Sequence, residues 1–582
     1  MLSDCHSAAL VDRDGSVDWW CVPRFDSPSV FGRLLDRDAG YWALRPAIDY
    51  ESERSYLDDT MVLRTVFRTA DGSVSVTDGL GLEAGARGHD IGLNSPHVLL
   101  RRIEGLSGAV DMYSELVPRM EYGRTQPHLR PCGDGVEARG GPACLTCTSS
   151  LSWEYDDGCA RTTFRVAAGE VVELALEYRP SFGSLPPREA AGPSLADTIE
   201  GWRSWAADHT GYEGAFAAQV RRSSLVLQGL TYQPSGAVVA AATTSLPEEL
   251  GADRNYDYRF AWLRDLSLTI RSLWIAACPS EPDRLFDWFA NAAGKTGDEL
   301  VQIMYGVEGE RDLSEHSLEH LSGYRDSQPV RAGNAAWRQQ QLDVLGEVLD
   351  AVYGLRDSLG DLEASVQDML VLMANRAATG WSDPDAGMWE ARDKKRHYTS
   401  SKVLCWVALD RAVKLASRLG ERADPETWSR VRDELHAVVV KQAWSSEAQA
   451  YTGAFGSDEL DASVLLMPIV GFLPADDPRM WTTIEAIEDR LGDGGLVRRW
   501  ATDSGGFLIC TYWLAECLAL AGHVEDATAW FQRATEYAND LGLLTEMADP
   551  STGELLGNFP QAFSHVGLIN AAWAITQATE AE

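Results

Sequence analysis

Apolar and polar residues alternate in short runs through roughly the first third of the chain, a period typical of strands with one buried face. Runs at 7–11 and 16–21 flank the turn sequence Asp-Arg-Asp-Gly and predict a hairpin. Many short strands separated by turn residues predict an antiparallel β-sandwich. Runs at 61–69 and 73–77 flank Ala-Asp-Gly and predict a second hairpin. Further runs of this kind lie at 97–103, 110–116, 144–155, 160–166 and 170–178.

The pattern changes to a helical period at about residue 215. Some helical runs, such as 403–409, are apolar on all sides and are expected to be buried, whereas others, such as 425–435, carry one apolar stripe and are expected to face water. Alternation of the two kinds predicts an inner ring of helices wrapped by an outer ring, which is an (α/α)6 barrel. Twelve helices are predicted, at 215–230, 258–277, 281–294, 332–356, 359–379, 398–420, 425–444, 462–473, 479–492, 506–523, 524–540 and 559–580.

The two patterns are separated by a segment rich in Pro, Gly and Ser and by one further helical run at 198–209. A chain of 582 residues is also long enough to bury more than one core. The predicted division is a β-sandwich at 1–179, a linker with a connecting helix at 180–214, and the barrel at 215–582. Loops that join outer to inner helices of such a barrel gather at one end, where we expect the active site.

Composition excludes several classes of protein. The formal net charge is -36, so nucleic acid and anionic membrane surfaces are repelled and neither is expected as a partner. No apolar run is long enough to span a membrane, and the first residues lack the features of a secretory signal, so the sequence predicts a cytoplasmic protein. A homo-oligomer is compatible with the sequence.

The sequence gives little support for a metal or a cofactor. It contains no P-loop, no His-Glu-x-x-His, no Gly-x-Ser-x-Gly and no Gly-x-Gly-x-x-Gly after a strand. His6, His397 and His565 are isolated along the chain, and such histidines are more often structural than metal ligands. The one Cys-x-x-Cys pair, Cys144 and Cys147, lacks the second pair that a zinc site needs. We therefore expect neither a metal nor a cofactor.

Three segments combine charge, aromatic residues and glycine at predicted junctions of loops and helices. In the first, at 255–265, Trp262, Arg264 and Asp265 enter an otherwise apolar helix. An Arg beside an Asp offers the donors and acceptors that bind two neighbouring sugar hydroxyls. An internal salt bridge is the alternative interpretation of this pair.

The second segment, at 381–390, places Glu390 after Met388 and Trp389. A carboxyl flanked by apolar side chains is partly desolvated, which raises its pKa and suits a general acid near neutral pH. A helix-capping or solvated glutamate is the alternative for this segment taken alone.

The third segment, at 542–550, contains Glu546 and precedes the last predicted helix, whose first turn accommodates Pro560. Glu546 lies in the loop just before the barrel closes, where it could face Glu390 across the mouth. Two carboxyls about 6.5–9.5 Å apart leave room for a water molecule and give an inverting glycoside hydrolase.

These segments resemble glycoside hydrolase family 15, in particular its bacterial and archaeal glucoamylase-like and trehalase-like branch. The resemblance extends over nearly the whole chain and implies a β-sandwich followed by an (α/α)6 barrel. The segments that carry it are 8–19, 23–31, 258–265, 387–390, 397–402 and 557–563.

The resemblance implies roles for individual residues. Glu390 matches the proton donor, and Glu546 matches the carboxylate that activates water, so no cofactor is needed and β-glucose is released. Arg264 and Asp265 match the pair that holds the terminal glucose. The remaining implied substrate-binding residues are Trp262, Trp389 and Trp337, which would line the pocket, with Tyr258, Arg259, His397 and Lys402 as polar contributors.

The chain also departs from the family pattern near the expected aglycone side. Met547 follows the expected base where many relatives have a second carboxylate, and the loops at 338–341 and 501–506 are altered. The acid, the base and the sugar-binding pair are retained. We therefore expect exo-acting, inverting hydrolysis of an α-glucoside, either a maltooligosaccharide or trehalose. The alternatives are a biosynthetic enzyme that uses the acidic glutamate for glycosyl transfer or on a non-standard substrate, and a carbohydrate-binding protein without activity.

Overall fold

A computed structural model describes residues 1–133, 135–182, 193–209, 211–276, 280–293 and 301–581. Its N-terminal part is an antiparallel β domain, as the alternating pattern predicts. The strands are β1 Leu2–Ser3, β2 Ala8–Val11, β3 Ser16–Cys21, β4 Ser29–Phe31, β5 Tyr41–Pro46, β6 Tyr50–Tyr56, β7 Leu63–Thr69, β8 Gly72–Leu80, β9 Val98–Val117, β10 His128–Cys132, β11 Gly135–Gly140, β12 Ala143–Thr148, β13 Glu154–Asp156, β14 Cys159–Ala167 and β15 Val171–Pro180.

The long strand β9 belongs to both sheets of this domain. Its first half pairs with β8 and β15, and its second half pairs with β5 and β14, all antiparallel. Along its length buried residues alternate with more exposed ones, so that Leu99, Ile103 and Met112 point into the core. The predicted hairpin between β2 and β3 is confirmed, and so is the one between β7 and β8.

A connecting helix links the β domain to the helical part of the chain. Helix α1 spans Leu195–Asp208, and the side chain of Ser194 caps it by accepting a hydrogen bond from the backbone of Asp197. The predicted linker begins where β15 ends, but its central part, residues 183–192, lies outside the described residues.

All twelve predicted helices occur in the described part of the chain, and they form the two rings of an (α/α)6 barrel. Helices α3, α5, α7, α9, α11 and α13 pack side by side, and α13 closes on α3. Helix α11 of this inner ring is buried on all sides, whereas outer helices such as α10 bury one stripe. The helices are α2 Ala217–Gly229, α3 Arg264–Ala276, α4 Ser280–Ala293, α5 Asp343–Gly354, α6 Ala364–Gly380, α7 Thr399–Lys414, α8 Pro425–Gln442, α9 Leu466–Ile469, α10 Pro478–Leu491, α11 Leu508–Leu520, α12 Val524–Glu536 and α13 Ala562–Ala581.

Several inner helices begin later than the apolar pattern predicts. Helix α3 begins at Arg264, because the residues before it form an extended segment in which Ala261–Trp262 pairs with Met304–Tyr305. The prediction of a helix at 462–473 is wrong in length, since α9 is a single turn after a 3-10 segment. No helix among the described residues is long and apolar enough to cross a membrane.

Candidate active site

A cavity of about 690 Å³ opens where the loops that precede the inner helices meet. This size lies within the range of small-molecule binding sites. Of the residues predicted from the sequence, Tyr258, Arg264, Trp389, Glu390 and Glu546 line it. The two carboxyls proposed for catalysis therefore face one cavity, although one comes from the loop before α7 and the other from the loop before α13.

Glu390 is held by two donors from the segment that leads into α3. The indole nitrogen of Trp262 donates to Glu390 Oε1 at 2.7 Å, and Arg264 Nη1 lies 3.3 Å from the same oxygen. Burial raises the pKa of Glu390 above its usual value, against the opposing effects of Arg264 and of the Trp262 hydrogen bond. Since both donors reach Oε1, the other carboxyl oxygen can carry a proton.

The backbone of Glu390 lies in the left-handed region, with a φ of 59°. Its N–H donates to the carbonyl of Gly387, which closes a tight turn in which Gly387 also has a positive φ, of 70°. A residue other than glycine costs about 1–3 kcal/mol in this conformation. The turn directs the Glu390 side chain into the cavity.

Arg264 connects three parts of the site. Its Nε donates to Asp265 Oδ1 at 3.0 Å, and its Nη1 donates to the carbonyl of Met388 at 2.6 Å. Asp265 is buried next to it, and burial raises the pKa of that carboxyl although Arg264 opposes the shift. The pair is thus an internal salt bridge whose arginine also reaches the cavity, so both interpretations of the sequence describe part of its structure.

Glu546 is 4% exposed. Its carboxyl lies so close to Gly557 that a side chain at position 557 would collide with it. Burial raises its pKa well above the usual value, and the neighbouring carboxyl of Glu248 raises it further. Arg499 and a hydrogen bond from Tyr258 act in the opposite direction. Ionisation of Glu546 therefore depends on the balance between a carboxylate and an arginine beside it.

Glu248 and Arg499, the two charged neighbours of Glu546, belong to a buried ionic network that the sequence does not predict. Arg499 Nη2 donates to Glu248 Oε2 at 2.5 Å, and Arg499 Nε donates to Asp503 Oδ2 at 2.8 Å. Arg254 Nη1 adds a contact of 3.2 Å to Asp503. Glu248 and Arg499 are far apart along the chain and belong to no recognisable motif. The altered loop at 501–506, which the sequence did single out, was the available signal because Asp503 lies in it.

Trp389 forms one apolar wall of the cavity. Its indole nitrogen donates to Asp461 Oδ1 at 3.0 Å. Its ring centroid lies 5.3 Å from that of Phe507 and 6.3 Å from that of Trp500. The three aromatic side chains give the cavity a face on which the apolar side of a sugar ring can stack.

Six predicted substrate-binding residues do not line the cavity. Two of them, Trp262 and Asp265, hydrogen-bond residues that do line it, Glu390 and Arg264. The other four are placed as follows. Arg259 is buried against Asp257 at 2.6 Å. Lys402 is also buried, and its Nζ donates to the backbone carbonyl of Asp383. The ring of His397 stacks on Phe455, and Trp337 is covered by the guanidinium of Arg338.

The position of Arg259 has a clear physical reason. In the extended segment before α3, neighbouring side chains point to opposite sides, so Tyr258 faces the cavity and Arg259 faces the β domain. There Arg259 donates to the carbonyl of Ser27 at 2.9 Å and to the hydroxyl of Tyr122 at 2.8 Å. Arg259 therefore joins the two domains, which corrects the expectation that it contacts substrate.

Comparison of the sequence with known families assigns both parts of the chain. The family described as "Glycosyl hydrolases family 15" matches residues 215–573, and the one described as "Trehalase-like, N-terminal" matches residues 1–190. A trehalase of Mycolicibacterium smegmatis is 37% identical over 608 residues, which cover 100% of this chain and 91% of that protein. A trehalase of Thermoplasma volcanium is 31% identical, with 98% of this chain and 92% of that protein covered.

Among solved structures, a bacterial glucoamylase complexed with acarbose superposes with a TM-score of 0.72. The match covers 99% of this chain and 93% of the glucoamylase at 14% sequence identity. At that identity the likeness concerns the fold, which is the β domain followed by the (α/α)6 barrel.

Proposed function

Since the chain belongs to glycoside hydrolase family 15 and is a glycoside hydrolase, we propose that its substrate is α,α-trehalose, that it acts by inversion, and that Glu390 is the general acid and Glu546 the general base. The observation that carries this proposal is that both carboxyls line one cavity at the mouth of the barrel. The names of the full-length relatives, which are trehalases, favour trehalose over maltooligosaccharides.

In the proposed reaction, Glu390 gives its proton to the oxygen that bridges the two glucose units as the bond to the anomeric carbon breaks. Glu546 takes a proton from a water molecule, which attacks the same carbon from the opposite face. The site then holds one β-glucose and one α-glucose, and the proton on Glu546 must return to Glu390 through solvent. The raised pKa of Glu390 supports its role as the acid.

Arg264 and Trp389 are proposed to hold the glucose unit that is attacked, and Asp265 is proposed to orient Arg264 through their hydrogen bond. Arg264 can donate to two neighbouring hydroxyls, and Trp389 offers an apolar face. Trp262 is proposed to position Glu390 through its hydrogen bond and not to contact the sugar directly. A closed inner end of the cavity would restrict cleavage to the terminal unit, which makes the enzyme exo-acting.

The first experiment incubates the purified protein with trehalose, maltose and maltotriose and measures glucose release. We expect release from trehalose to be fastest, and release from none of the three sugars would contradict the proposal. The variants Glu390→Gln and Glu546→Gln are each expected to lower kcat by about 10²–10⁴-fold. Glu485→Gln, in an exposed residue of α10, is the matched control and should retain activity.

The stereochemistry is tested by proton NMR during the first minutes of trehalose hydrolysis. Inversion gives equal amounts of α- and β-glucose before mutarotation, whereas retention gives α-glucose alone. A sugar acceptor added to the same reaction tests the biosynthetic alternative. Glycosyl transfer from trehalose gives one new disaccharide and one free glucose, whereas hydrolysis gives two glucose molecules. A ratio of one glucose per trehalose consumed, together with a new disaccharide, would replace hydrolysis by glycosyl transfer.

Two further predictions from the sequence are retained as proposals. We propose the domain division 1–179, 180–214 and 215–582, with Arg259 as a contact that keeps the two folded parts together. We also propose a cytoplasmic location, which the free cysteines among the described residues favour because disulfides are rare in that compartment. Cell fractionation tests the location, and size-exclusion chromatography measures the oligomeric state.

A further inference from the structure

Three side chains outside the cavity converge where the β domain, the connecting helix and the barrel meet. His89 belongs to a short 3-10 turn between β8 and β9, His209 follows the end of α1, and Glu281 lies in the first turn of α4. One ligand-type atom from each lies within 4.8 Å of the other two. None of the three residues lines the cavity described above.

Glu281 Oε1 is close to both imidazoles. His89 Nδ1 lies 2.5 Å from it, and His209 Nε2 lies 3.1 Å from it. The indole nitrogen of Trp205 also approaches this oxygen, at 3.3 Å. The carboxylate thus brings the two rings together, and their centroids are 5.1 Å apart.

The hydrogen bonds of His209 determine which of its nitrogens is free. Its Nδ1 contacts the backbone carbonyl of Trp205, which can only accept, so Nδ1 carries the proton in the neutral ring. Nε2 then presents a lone pair towards the carboxylate of Glu281 and has no hydrogen-bond partner. A ring whose far nitrogen donates to a carbonyl is also the usual arrangement of a metal-binding histidine.

A second buried atom at the same place lacks a partner. Glu281 Oε2 forms no hydrogen bond, although Glu281 is only 7% exposed, and His209 is 3% exposed. Leaving a buried polar atom without a partner costs about 1–3 kcal/mol, and more when it is charged. A cation between these groups would satisfy the lone pair of His209 and the free oxygen of Glu281 together.

We propose that His89, His209 and Glu281 bind a divalent transition-metal ion, for which zinc is the best candidate, at the junction of the two domains. Two imidazoles and one carboxylate are ligands that zinc prefers, and hard cations such as Mg²⁺ or Ca²⁺ instead select oxygen ligands. Neighbouring ligand atoms of a tetrahedral zinc ion are about 3.3 Å apart, from bond lengths of 2.0–2.1 Å. The observed separations need only small side-chain movements to reach that geometry.

Such an ion would link three segments of the chain and would therefore be structural. His89 is anchored at its backbone, where its carbonyl accepts from Gln233 at 2.8 Å, so the site is held in place from the barrel side as well. The side chain of Asp208 lies next to Gly88, the residue before His89, and adds negative charge near the site. Bound metal stabilises the folded state over the unfolded state by mass action.

The test measures zinc binding to the full-length protein after treatment with a chelator and dialysis. Zinc is titrated in competition with a chromogenic chelator, and Co²⁺ is used in parallel because tetrahedral Co²⁺ has intense visible absorption bands. We expect one equivalent per chain, a tetrahedral Co²⁺ spectrum, and a Tm that rises with zinc concentration. Activity towards sugars is not part of the readout, so failure here leaves the proposed hydrolysis unaffected.

Two variants and one control identify the ligands. Glu281→Gln keeps the shape of the side chain but removes its charge, and His89→Gln changes a residue at the edge of the site that tolerates substitution better. Loss of a residue that only hydrogen-bonds a metal ligand typically weakens metal binding by about 10–100-fold. Each of these variants removes a proposed ligand and should weaken zinc binding by more than that. His316→Gln, in an exposed histidine elsewhere, should leave binding unchanged.

Two outcomes would overturn the proposal. One is wild-type protein that binds neither zinc nor cobalt stoichiometrically. The other is zinc binding that is the same in the wild type, in Glu281→Gln and in His89→Gln. If Glu281→Gln does not fold, as judged by circular dichroism, His89→Gln alone decides between these results.

Discussion

The indole nitrogen of Trp262 donates a hydrogen bond to Oε1 of Glu390 at 2.7 Å. This bond stabilises the ionised carboxylate, and it therefore opposes the burial that keeps the proton on Glu390. Burial and Arg264 have larger effects on the pKa of the proposed acid, and Trp262, from the segment that leads into α3, lowers this pKa further.

Replacing Trp262 by Phe should raise the pKa of Glu390, because the donor that favours the ionised form is lost. The acid works only when protonated, so activity is lost as pH rises through this pKa. The alkaline limb of kcat/KM should therefore move to higher pH by about one unit, as expected for a hydrogen bond of about 1.5 kcal/mol to a charged group. Trp153→Phe, in the β domain, is the control, and equal profiles for both variants would contradict the assignment of Glu390 as the acid.

Replacing Glu248 by Gln should lower the pKa of Glu546, because a neighbouring negative charge disappears while Arg499 remains. A general base is active when ionised, so activity is lost as pH falls through its pKa. The acid limb of kcat/KM should therefore move to lower pH. Glu485→Gln tests whether any loss of negative charge has this effect, and a shift of the acid limb to higher pH in Glu248→Gln would count against Glu546 as the base.

Replacing Arg259 by Met should destabilise the protein and leave substrate binding intact. Asp257 would be buried without its partner, a change that typically costs about 3–5 kcal/mol, so the Tm should fall. The KM of the folded enzyme should be unchanged, because Arg259 does not line the cavity. The double variant with Asp257→Asn should recover part of the stability, and a raised KM at normal Tm would restore Arg259 as a substrate-binding residue.

Replacing Gly557 by Ala should displace the proposed base. A Cβ at this position would lie 2.8 Å from Glu546 Oε2, and the φ of 78° adds backbone strain. A shift of a reacting group by about 1 Å can cost about 100-fold in rate, so kcat should fall strongly. Gly553→Ala separates the two effects, since its φ is 74° but nothing lies within 4 Å of the added carbon. Equal losses in both variants would attribute the effect to strain alone.

Most of the fold could be predicted from the sequence because its two periods are strong. All twelve barrel helices lie where the apolar pattern predicts them, and the two predicted hairpins of the β domain occur. The length of helix α9 was overestimated because an apolar period does not show where a helix ends. Pro468 and Gly471, whose φ is 75°, both disfavour continuation of the helix. The predicted starts of inner helices were too early where loops at the mouth of the barrel replace their first turns.

The candidate site was predicted less completely, because its parts depend on contacts between distant segments. Trp262, Arg264 and Glu390 could be found, since each lies in a short segment of unusual composition. The pairing of Glu248 with Arg499 and the cluster around Glu281 connect residues that have no common motif and no informative spacing. Arg259 was misplaced because adjacency to Tyr258 in the sequence does not show that their side chains point to opposite sides.

The left-handed backbone of Glu390 has a consequence for the robustness of the enzyme. A glycine there would adopt the same turn without steric conflict, and it would remove a carboxyl that burial disfavours. Glu390 is therefore expected to lower the stability of the folded chain, although the proposed reaction requires it. The inactive Glu390→Gly variant should have a higher Tm than the wild type. The difference in Tm would measure the loss of stability that the catalytic side chain causes.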